Sequence, residues 1–194
     1  MDNKTRLFSA ILHNEGIHIR ALSRQLEVGL PTVEHHLKKL ETQNLIKKTK
    51  EGRNIKLYPN YKNKAIISEI YQSEYLQISK IPDDVSTAVF DFIASLETRP
   101  ILVAIFGSYA DGTFTKKSDV DLFLVFNKPP VKEIENRSKA IRFKYDIDIA
   151  PVYMSYAEFK AKFFDEKDQF MKEFKKKKLI LEGISVWVML ENEK

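Results

Sequence analysis

The sequence predicts an α/β (α+β) protein built from two domains, and three observations support this prediction. Residues 1–60 have apolar side chains at helical spacing and carry the entire net charge of +5. Farther along, two apolar runs separated by a polar loop have the composition of buried strands. Helical spacing returns on both sides of these runs, as expected where helices flank a sheet. We therefore expect one domain at residues 1–60, a helical connector at 61–80 and a second domain at 81–194.

The length and composition of the chain suit two compact domains without a membrane segment. Its 194 residues are 43% hydrophobic, which is ordinary for globular proteins. No apolar run approaches the ~20 residues needed to cross a bilayer, and the start does not resemble a signal peptide. The absence of cysteine is compatible with a reducing compartment. We expect a cytoplasmic location.

The N-terminal domain is predicted to contain three helices followed by a β-hairpin. Apolar side chains at helical spacing predict the helices over residues 5–13, 19–27 and 31–44. Gly29 lies in a predicted tight turn before the third helix, and residues 45–58 are typical of a hairpin with Gly52 at its tip. This order of elements resembles winged helix-turn-helix DNA-binding domains over their full length. The resemblance implies that double-stranded DNA is a partner.

The charge of the N-terminal domain agrees with DNA binding. Residues 1–60 contain eleven Lys and Arg against six Asp and Glu, whereas residues 61–194 contain 21 of each class. Basic side chains on such a domain neutralise DNA phosphates. The candidate DNA-binding residues lie on the outer face of the third helix and on the hairpin, and they are Thr32, His35, His36, Lys39, Lys50 and Arg53. A winged helix that is used only for protein contacts is the alternative interpretation.

The connector between the domains also has apolar side chains at helical spacing. Ile66, Ile67, Ile70 and Tyr71 belong to this pattern. Winged-helix proteins often need a twofold partner to contact two DNA half-sites. The connector is therefore a candidate dimerisation element, which would make the protein a homodimer.

The two apolar runs of the second domain, residues 101–106 and 122–126, predict buried strands. Asp119 and Asp121 lie where the second run begins, and they point to the same face because side chains alternate along a strand. A separation of roughly 6.6 Å lets two carboxylates flank a pair of divalent cations about 3.5–4 Å apart. Hard oxygen ligands favour Mg²⁺ or Mn²⁺.

The loop between the runs suits phosphate binding. Gly107 lets a backbone pass close to a ligand, and the Ser108 hydroxyl and the amides after it can hold phosphate oxygens. Lys116 and Lys117 add positive charge, and Ser118 ends the loop. These five residues are the candidate nucleotide-binding residues. With the two carboxylates, they predict a site for a metal-bound nucleoside triphosphate.

The order of strand, Gly-Ser, spacer, Ser-Asp-x-Asp-Leu and strand resembles a known family. Phe106-Gly-Ser-Tyr-Ala110 and Ser118-Asp-Val-Asp-Leu122 are similar to the motifs of the nucleotidyltransferase domain of the DNA polymerase β-like superfamily, especially its minimal nucleotidyltransferases. The resemblance implies a mixed sheet flanked by helices. It also implies metal-dependent transfer of a nucleoside monophosphate from an NTP, ATP being preferred, to an acceptor. Minimal members often act beside a partner protein in toxin–antitoxin-like pairs, which makes a partner protein a candidate acceptor.

The resemblance also implies a third carboxylate on a neighbouring strand. Residues 145–152 alternate between polar and apolar side chains, which predicts a strand with Asp146 and Asp148 on one face. Asp148 lies deeper in the apolar segment and is the preferred third acid, both for catalysis and as a metal ligand. Asp146 is the alternative. In relatives this acid assists metal binding or deprotonates the attacking hydroxyl group.

One position departs from the family's pattern. Relatives commonly carry Arg where this chain has Asp111, so a negative charge lies near the expected triphosphate. Lys116 and Lys117 are candidates to compensate for it. The alternative function is accordingly a DNA-binding transcriptional regulator whose second domain senses nucleotide or is a weak catalyst.

Helices are predicted around the strands of the second domain. Pro82 and the acids after it suit a helix N-terminus, and Ser155 with Glu158 matches a capping box. The predicted helices cover residues 82–96, 131–144, a segment from 155 and residues 165–178. A closing strand pair is predicted over residues 179–181 and 186–190.

Overall fold

The computed structural model describes residues 3–52 and 54–194. The described chain divides into two compact units, the first ending at Leu76 and the second beginning at Gln77, with residues 191–193 grouped with the first. The division lies within the predicted connector. Within the described ranges, no helix is long and apolar enough to cross a membrane.

The first unit has the predicted order of helices followed by a hairpin. Its elements are α1 (Asn3–Leu12), β1 (Ile17–His18), α2 (Ile19–Leu26), α3 (Leu30–Thr42), β2 (Ile46–Glu51) and β3 (Asn54–Pro59). The strands form an antiparallel sheet in the order β1-β3-β2. Leu22, Val33, Leu37 and Leu57 are fully buried in its core. Within the predicted turn before α3, Gly29 is the N-cap of α3 with φ −60°, and Glu27, which ends α2, has the left-handed conformation with φ 55°.

The connector is a single helix, α4 (Ile66–Ile78), and the division between the units lies inside it. Ile66 and Ile70 are buried on its inner side. Tyr71 is 50% exposed, although the sequence placed it in the apolar pattern. The helical prediction for this segment is therefore confirmed, but its buried face also includes Ser73 and Glu74 and does not include Tyr71.

The second unit is a mixed sheet flanked by helices, as predicted. Its elements are α5 (Asp83–Ser95), β4 (Leu102–Ile105), α6 (Gly107–Asp111), β5 (Val120–Phe126), α7 (Val131–Tyr145), β6 (Ile149–Ser155), α8 (Tyr156–Phe164), α9 (Gln169–Lys176), β7 (Leu179–Glu182) and α10 (Ile184–Glu193). The strand order is β6-β5-β4-β7. Strands β5 and β6 are parallel, and the other two pairs are antiparallel.

Both faces of the sheet are covered, which explains the continuous apolar sequence of its central strands. Leu122 and Leu124 belong to a core cluster with Phe92 of α5 and Ile134 of α7. On the opposite face, Phe123 contacts aromatic rings at centroid distances of 4.6–5.7 Å, and these rings belong to Phe159, Phe170 and Phe174. Every residue of β5 except Asp121 is buried, so the sheet presents a carboxylate at one end of a hydrophobic strand.

Two predictions of secondary structure in this unit were wrong. The strand expected from residue 145 begins at Ile149, because α7 continues to Tyr145 and Asp146 closes it in a left-handed conformation with φ 55°. Residues 186–190 belong to α10 rather than to a strand. Short apolar runs do not distinguish helix from strand. Here Ile184, Trp187 and Val188 are buried at helical spacing after Gly183, which has φ 84°.

Candidate functional site

Gly107 and Asp121 are in contact at the end of β4. Gly107 has φ +64°, and a Cβ atom at this position would overlap Asp121 Oδ2 and lie 3.0 Å from its Cγ. Glycine alone therefore fits here. The backbone N–H of Phe106 donates to the Asp121 carbonyl at 3.0 Å, which extends the β4–β5 pairing to this point. The Gly-Ser segment and the Asp-x-Asp segment thus form one site.

The two carboxylates of the Asp-x-Asp segment differ in environment. Asp121 is half-buried on β5, whereas Asp119 is exposed immediately before it. Burial raises the pKa of the Asp121 carboxyl above its ordinary 3.8, and the negative charge of Asp119 raises it further. A divalent cation would offset both effects, since it replaces lost hydration and separates the two negative charges.

These carboxylates fit a hard cation such as Mg²⁺ or Mn²⁺ by their oxygen donors. Asp119 and Asp121 would hold the ion, with further ligands from the nucleotide phosphates. Within residues 3–52 and 54–194, however, no group of three or more His, Asp or Glu side chains is assembled to hold a metal. The carboxylate of the third candidate ligand, Asp148, is therefore not gathered with those of Asp119 and Asp121.

The backbone of Asp148 lies beside that of Asp119, but the carboxylate of Asp148 is paired with an arginine. Parallel pairing matches Val120 with Ile149, and the Val120 N–H donates to the Asp148 carbonyl at 2.8 Å. Asp148 therefore neighbours Asp119 one position before the paired strands. Its carboxylate is 3.1 Å from Arg142 Nη1 at the end of α7. Asp146 is an exposed helix-terminating residue, so the register favours Asp148 as the third acid.

The remaining loop residues have distinct local roles. Ser108 is half-buried in α6, beside Gly107. Ser118 Oγ accepts from the Thr115 N–H at 2.9 Å, so this hydroxyl closes the turn of the loop. The side chains of Lys116 and Lys117 are exposed. The structure brings Gly107, Ser108 and the two acids together.

An ion pair not anticipated from the sequence lies at the end of α6. Lys177 Nζ, which follows α9, is 3.2 Å from Asp111 Oδ1. Arg142 beside Asp148 was likewise not singled out. Lys177 reaches Asp111 because β7 pairs with β4, two elements distant in sequence, and Arg142 reaches Asp148 because α7 ends beside the start of β6. Neither contact follows from a residue pattern within one element.

The candidate DNA-binding residues of the first unit do not share one face. His35, Lys39 and Lys50 are exposed. Thr32 and His36 are half-buried, and they line a cavity whose walls include Arg6 of α1 and Leu26 of α2. The expectation that these two residues face outward with His35 and Lys39 was therefore wrong, because they lie on the side of α3 toward α1 and α2. Arg53 lies outside the described residues.

Comparison with known proteins identifies relatives of both units. The family described as "Nucleotidyltransferase domain" matches residues 86–183. The "Uncharacterized HTH-type transcriptional regulator MJ1398" of Methanocaldococcus jannaschii is 40% identical over 58 residues, which are 30% of this chain and 15% of that protein. The "Putative protein adenylyltransferase MJ0141" of the same organism is 36% identical over 97 residues, which are 48% of this chain and 90% of that protein.

Matches to solved structures were also found. The transcriptional regulator SlyA has a TM-score of 0.33 and 17% identity, covering 48% of this chain and 71% of its own. A MarR protein from Peptoclostridium difficile has a TM-score of 0.32 and 22% identity, covering 48% of this chain and 66% of its own.

Proposed function

Because this chain belongs to the nucleotidyltransferase domain family, we propose that it transfers a nucleoside monophosphate from a nucleoside triphosphate to an acceptor in a metal-dependent reaction. ATP is the proposed donor, and the name of the adenylyltransferase relative supports this choice. The single observation that carries the proposal is the contact between Gly107 and the Asp121 carboxylate. This contact joins the phosphate-binding segment to the acidic segment of one site.

Each site residue has a proposed role. Gly107 and Ser108 contact the triphosphate, with Lys116 and Lys117 adding positive charge and Ser118 shaping the loop. Asp119 and Asp121 hold Mg²⁺ or Mn²⁺, and Asp148 completes the set. The metal, when bound, neutralises charge that develops on the phosphates. Asp148 accepts the proton of the attacking group or assists the metal.

The proposed acceptor is a protein. The name of the adenylyltransferase relative supports it, and a partner in a toxin–antitoxin-like pair is the specific form of the proposal. The winged helix would bind double-stranded DNA, which the excess of basic residues in residues 1–60 supports. A homodimer formed through α4 and a cytoplasmic location complete the proposal.

A second candidate is a DNA-binding transcriptional regulator whose second unit senses nucleotide or catalyses weakly. The ion pair between Arg142 and Asp148 favours it, because the third acid is engaged by a cation at 3.1 Å. The name of the HTH-type relative also supports it. The two candidates differ in turnover, since only the enzyme transfers the nucleotide.

The test uses the full chain, Mg²⁺, each of the four NTPs labelled on the α-phosphate, and the product of a neighbouring gene as acceptor. We expect label on the acceptor with ATP, and none with Asp119→Asn or Asp121→Asn. Calorimetry with ATP and Mg²⁺ separates the candidates. Binding without transfer supports the regulator, and absence of binding contradicts both.

A further inference from the structure

The register of the sheet places a lysine run beside the Gly-Ser segment. Strands β4 and β7 are antiparallel, with Ile105 opposite Leu179. The residues that follow Ile105 therefore run past those that precede Leu179. Phe106 also contacts two rings of α9, Phe170 at 5.7 Å and Phe174 at 6.0 Å between centroids. The strand pairing and the ring contacts thus both bring α9 and the residues after it close to the Gly-Ser segment.

The lysines of this run have different partners. Lys175 Nζ lies 3.8 Å from the centroid of Phe163, and Lys178 Nζ lies 4.2 Å from that of Trp187. Lys176 pairs with Glu173 of its own helix at 2.7 Å. Lys177 reaches the loop, where its ammonium is 3.2 Å from Asp111.

The position and exposure of Lys177 suit a mobile phosphate-binding cation. Asp111 is one helical turn after Gly107, a backbone rise of about 6 Å along α6, and the Lys177 ammonium is 3.2 Å from its carboxylate. The Lys177 side chain is 63% exposed and that of Asp111 is 27% exposed. Exposed ion pairs of this kind contribute little to stability, because water screens them. A triphosphate carries several charges and would displace Asp111 from the lysine.

We propose that Lys177 is a nucleotide-binding residue that contacts the triphosphate tail, and that Asp111 holds its ammonium in position before nucleotide arrives. This inference rests on the proposed function, because it requires nucleotide at Gly107 and Asp121. It assigns the phosphate-binding cation to the end of α9. An ammonium acts as a point charge on phosphate and does not need the planar geometry of arginine.

Calorimetry on the full chain with Mg²⁺ tests the assignment, with ATP and AMP as probes. Lys177→Ala should weaken ATP binding about tenfold, the usual effect of one hydrogen bond to a charged group, and should leave AMP binding unchanged. Lys177→Gln, which keeps a polar side chain only one atom shorter but removes the charge, should behave like Lys177→Ala. Lys176→Ala is the matched control, because its ammonium pairs with Glu173, and it should bind ATP like the wild type.

A double-mutant cycle with Asp111→Asn separates ligand binding from simple neutralisation of Asp111. Asp111→Asn alone should strengthen ATP binding, and adding Lys177→Ala should still weaken it about tenfold. If the effect of Lys177→Ala disappears in that background, Lys177 only neutralises Asp111 and the assignment is wrong. Wild-type ATP affinity in both Lys177 variants would also overturn it. If the wild type itself binds no ATP, the proposed function fails first.

Discussion

Gly107 and Asp121 constrain each other, since the carboxylate occupies the space that any side chain at position 107 would need. The carboxylate is half-buried at the end of an otherwise buried strand, and its raised pKa reflects that burial and the charge of Asp119. Such an environment is unfavourable for a charge unless a cation is bound. The arrangement is therefore better explained by ligand binding than by stability.

Gly107→Ala should abolish ATP binding, because the new methyl group would displace the Asp121 carboxylate. Gly112→Ala is the matched control. Both glycines have positive φ, +64° and +70°, so both substitutions carry a similar left-handed penalty of about 1 kcal/mol. Only position 107 adds the overlap, since a Cβ at 112 meets nothing within 4 Å. Calorimetry with Mg-ATP and thermal unfolding measure the two effects. Equal ATP affinity in both variants would contradict the proposed site.

Among the secondary-structure elements, sequence patterns were most informative where the structure is determined locally. The capping box at Ser155 and the strands around the Asp-x-Asp segment were predicted, because each depends on neighbouring residues. The alternation from Tyr145 to Ile149 was misleading, since the last residues of a helix and its left-handed cap can also alternate in polarity. Asp146 is that cap, and the strand begins only at Ile149.

The pairing of β5 with β6 predicts different effects for the two candidate third acids. Asp148→Asn should bind Mg-ATP yet transfer the nucleotide at least tenfold more slowly, because the third acid acts on the attacking group or its metal. Asp146→Asn should be neutral, since asparagine tolerates the left-handed conformation at a helix end. Single-turnover transfer assays beside binding measurements distinguish the effects. A slow Asp146→Asn variant with a normal Asp148→Asn variant would reverse the assignment.

The capping box of α8 allows a prediction about stability and pH. Glu158 accepts from the Ser155 hydroxyl and backbone N–H, which lowers the pKa of its carboxyl below 4.5. A carboxyl whose pKa is lowered in the folded state stabilises the fold at pH values above its ordinary pKa. This stabilisation is lost as the pH falls through the lowered pKa. Ser155→Ala should lower the free energy of unfolding by about 1 kcal/mol at pH 7. The variant should then lose less stability than the wild type as the pH is lowered.

Urea unfolding at pH 7 and below pH 4.5 measures both consequences of Ser155→Ala. Glu158→Gln is the control, because it keeps the backbone contact of Ser155 Oγ with residue 158 but cannot titrate. An unchanged pH dependence in Ser155→Ala would show that the serine does not lower the pKa of Glu158.

For the whole molecule, charge separates the two parts of the chain more clearly than hydrophobic pattern does. The net charge of +5 belongs to residues 1–60, and the rest of the chain is balanced. The sequence thus predicts DNA contact for residues 1–60 and places the Asp-x-Asp segment in the part of the chain with balanced charge. It could not reveal Lys177, because its contact with Asp111 depends on the register between the distant strands β4 and β7. Nor could it reveal Arg142, because its contact with Asp148 depends on where α7 ends and β6 begins.

DNA binding by the full chain should be salt-dependent, because Lys and Arg release counterions when they contact phosphates. Lys50 is exposed on β2, and Lys50→Ala should weaken binding to all duplexes and lower the slope of log affinity against log salt by about one. His35 is exposed on α3, and His35→Ala should instead change sequence preference, since base contacts specify and phosphate contacts position. Thr32→Ala and His36→Ala should act mainly on stability, because both residues line the cavity toward α1 and α2.

Fluorescence anisotropy with the DNA upstream of the gene and with a scrambled duplex of equal length measures both affinity and preference. Lys176→Ala is the matched control, because it removes one exposed charge from the second unit and should leave the salt slope unchanged. Equal slopes for Lys50→Ala and the wild type would exclude Lys50 from the interface. If the full chain binds neither duplex at low salt, the winged helix contacts protein rather than DNA, since a basic domain that binds DNA retains nonspecific affinity under those conditions.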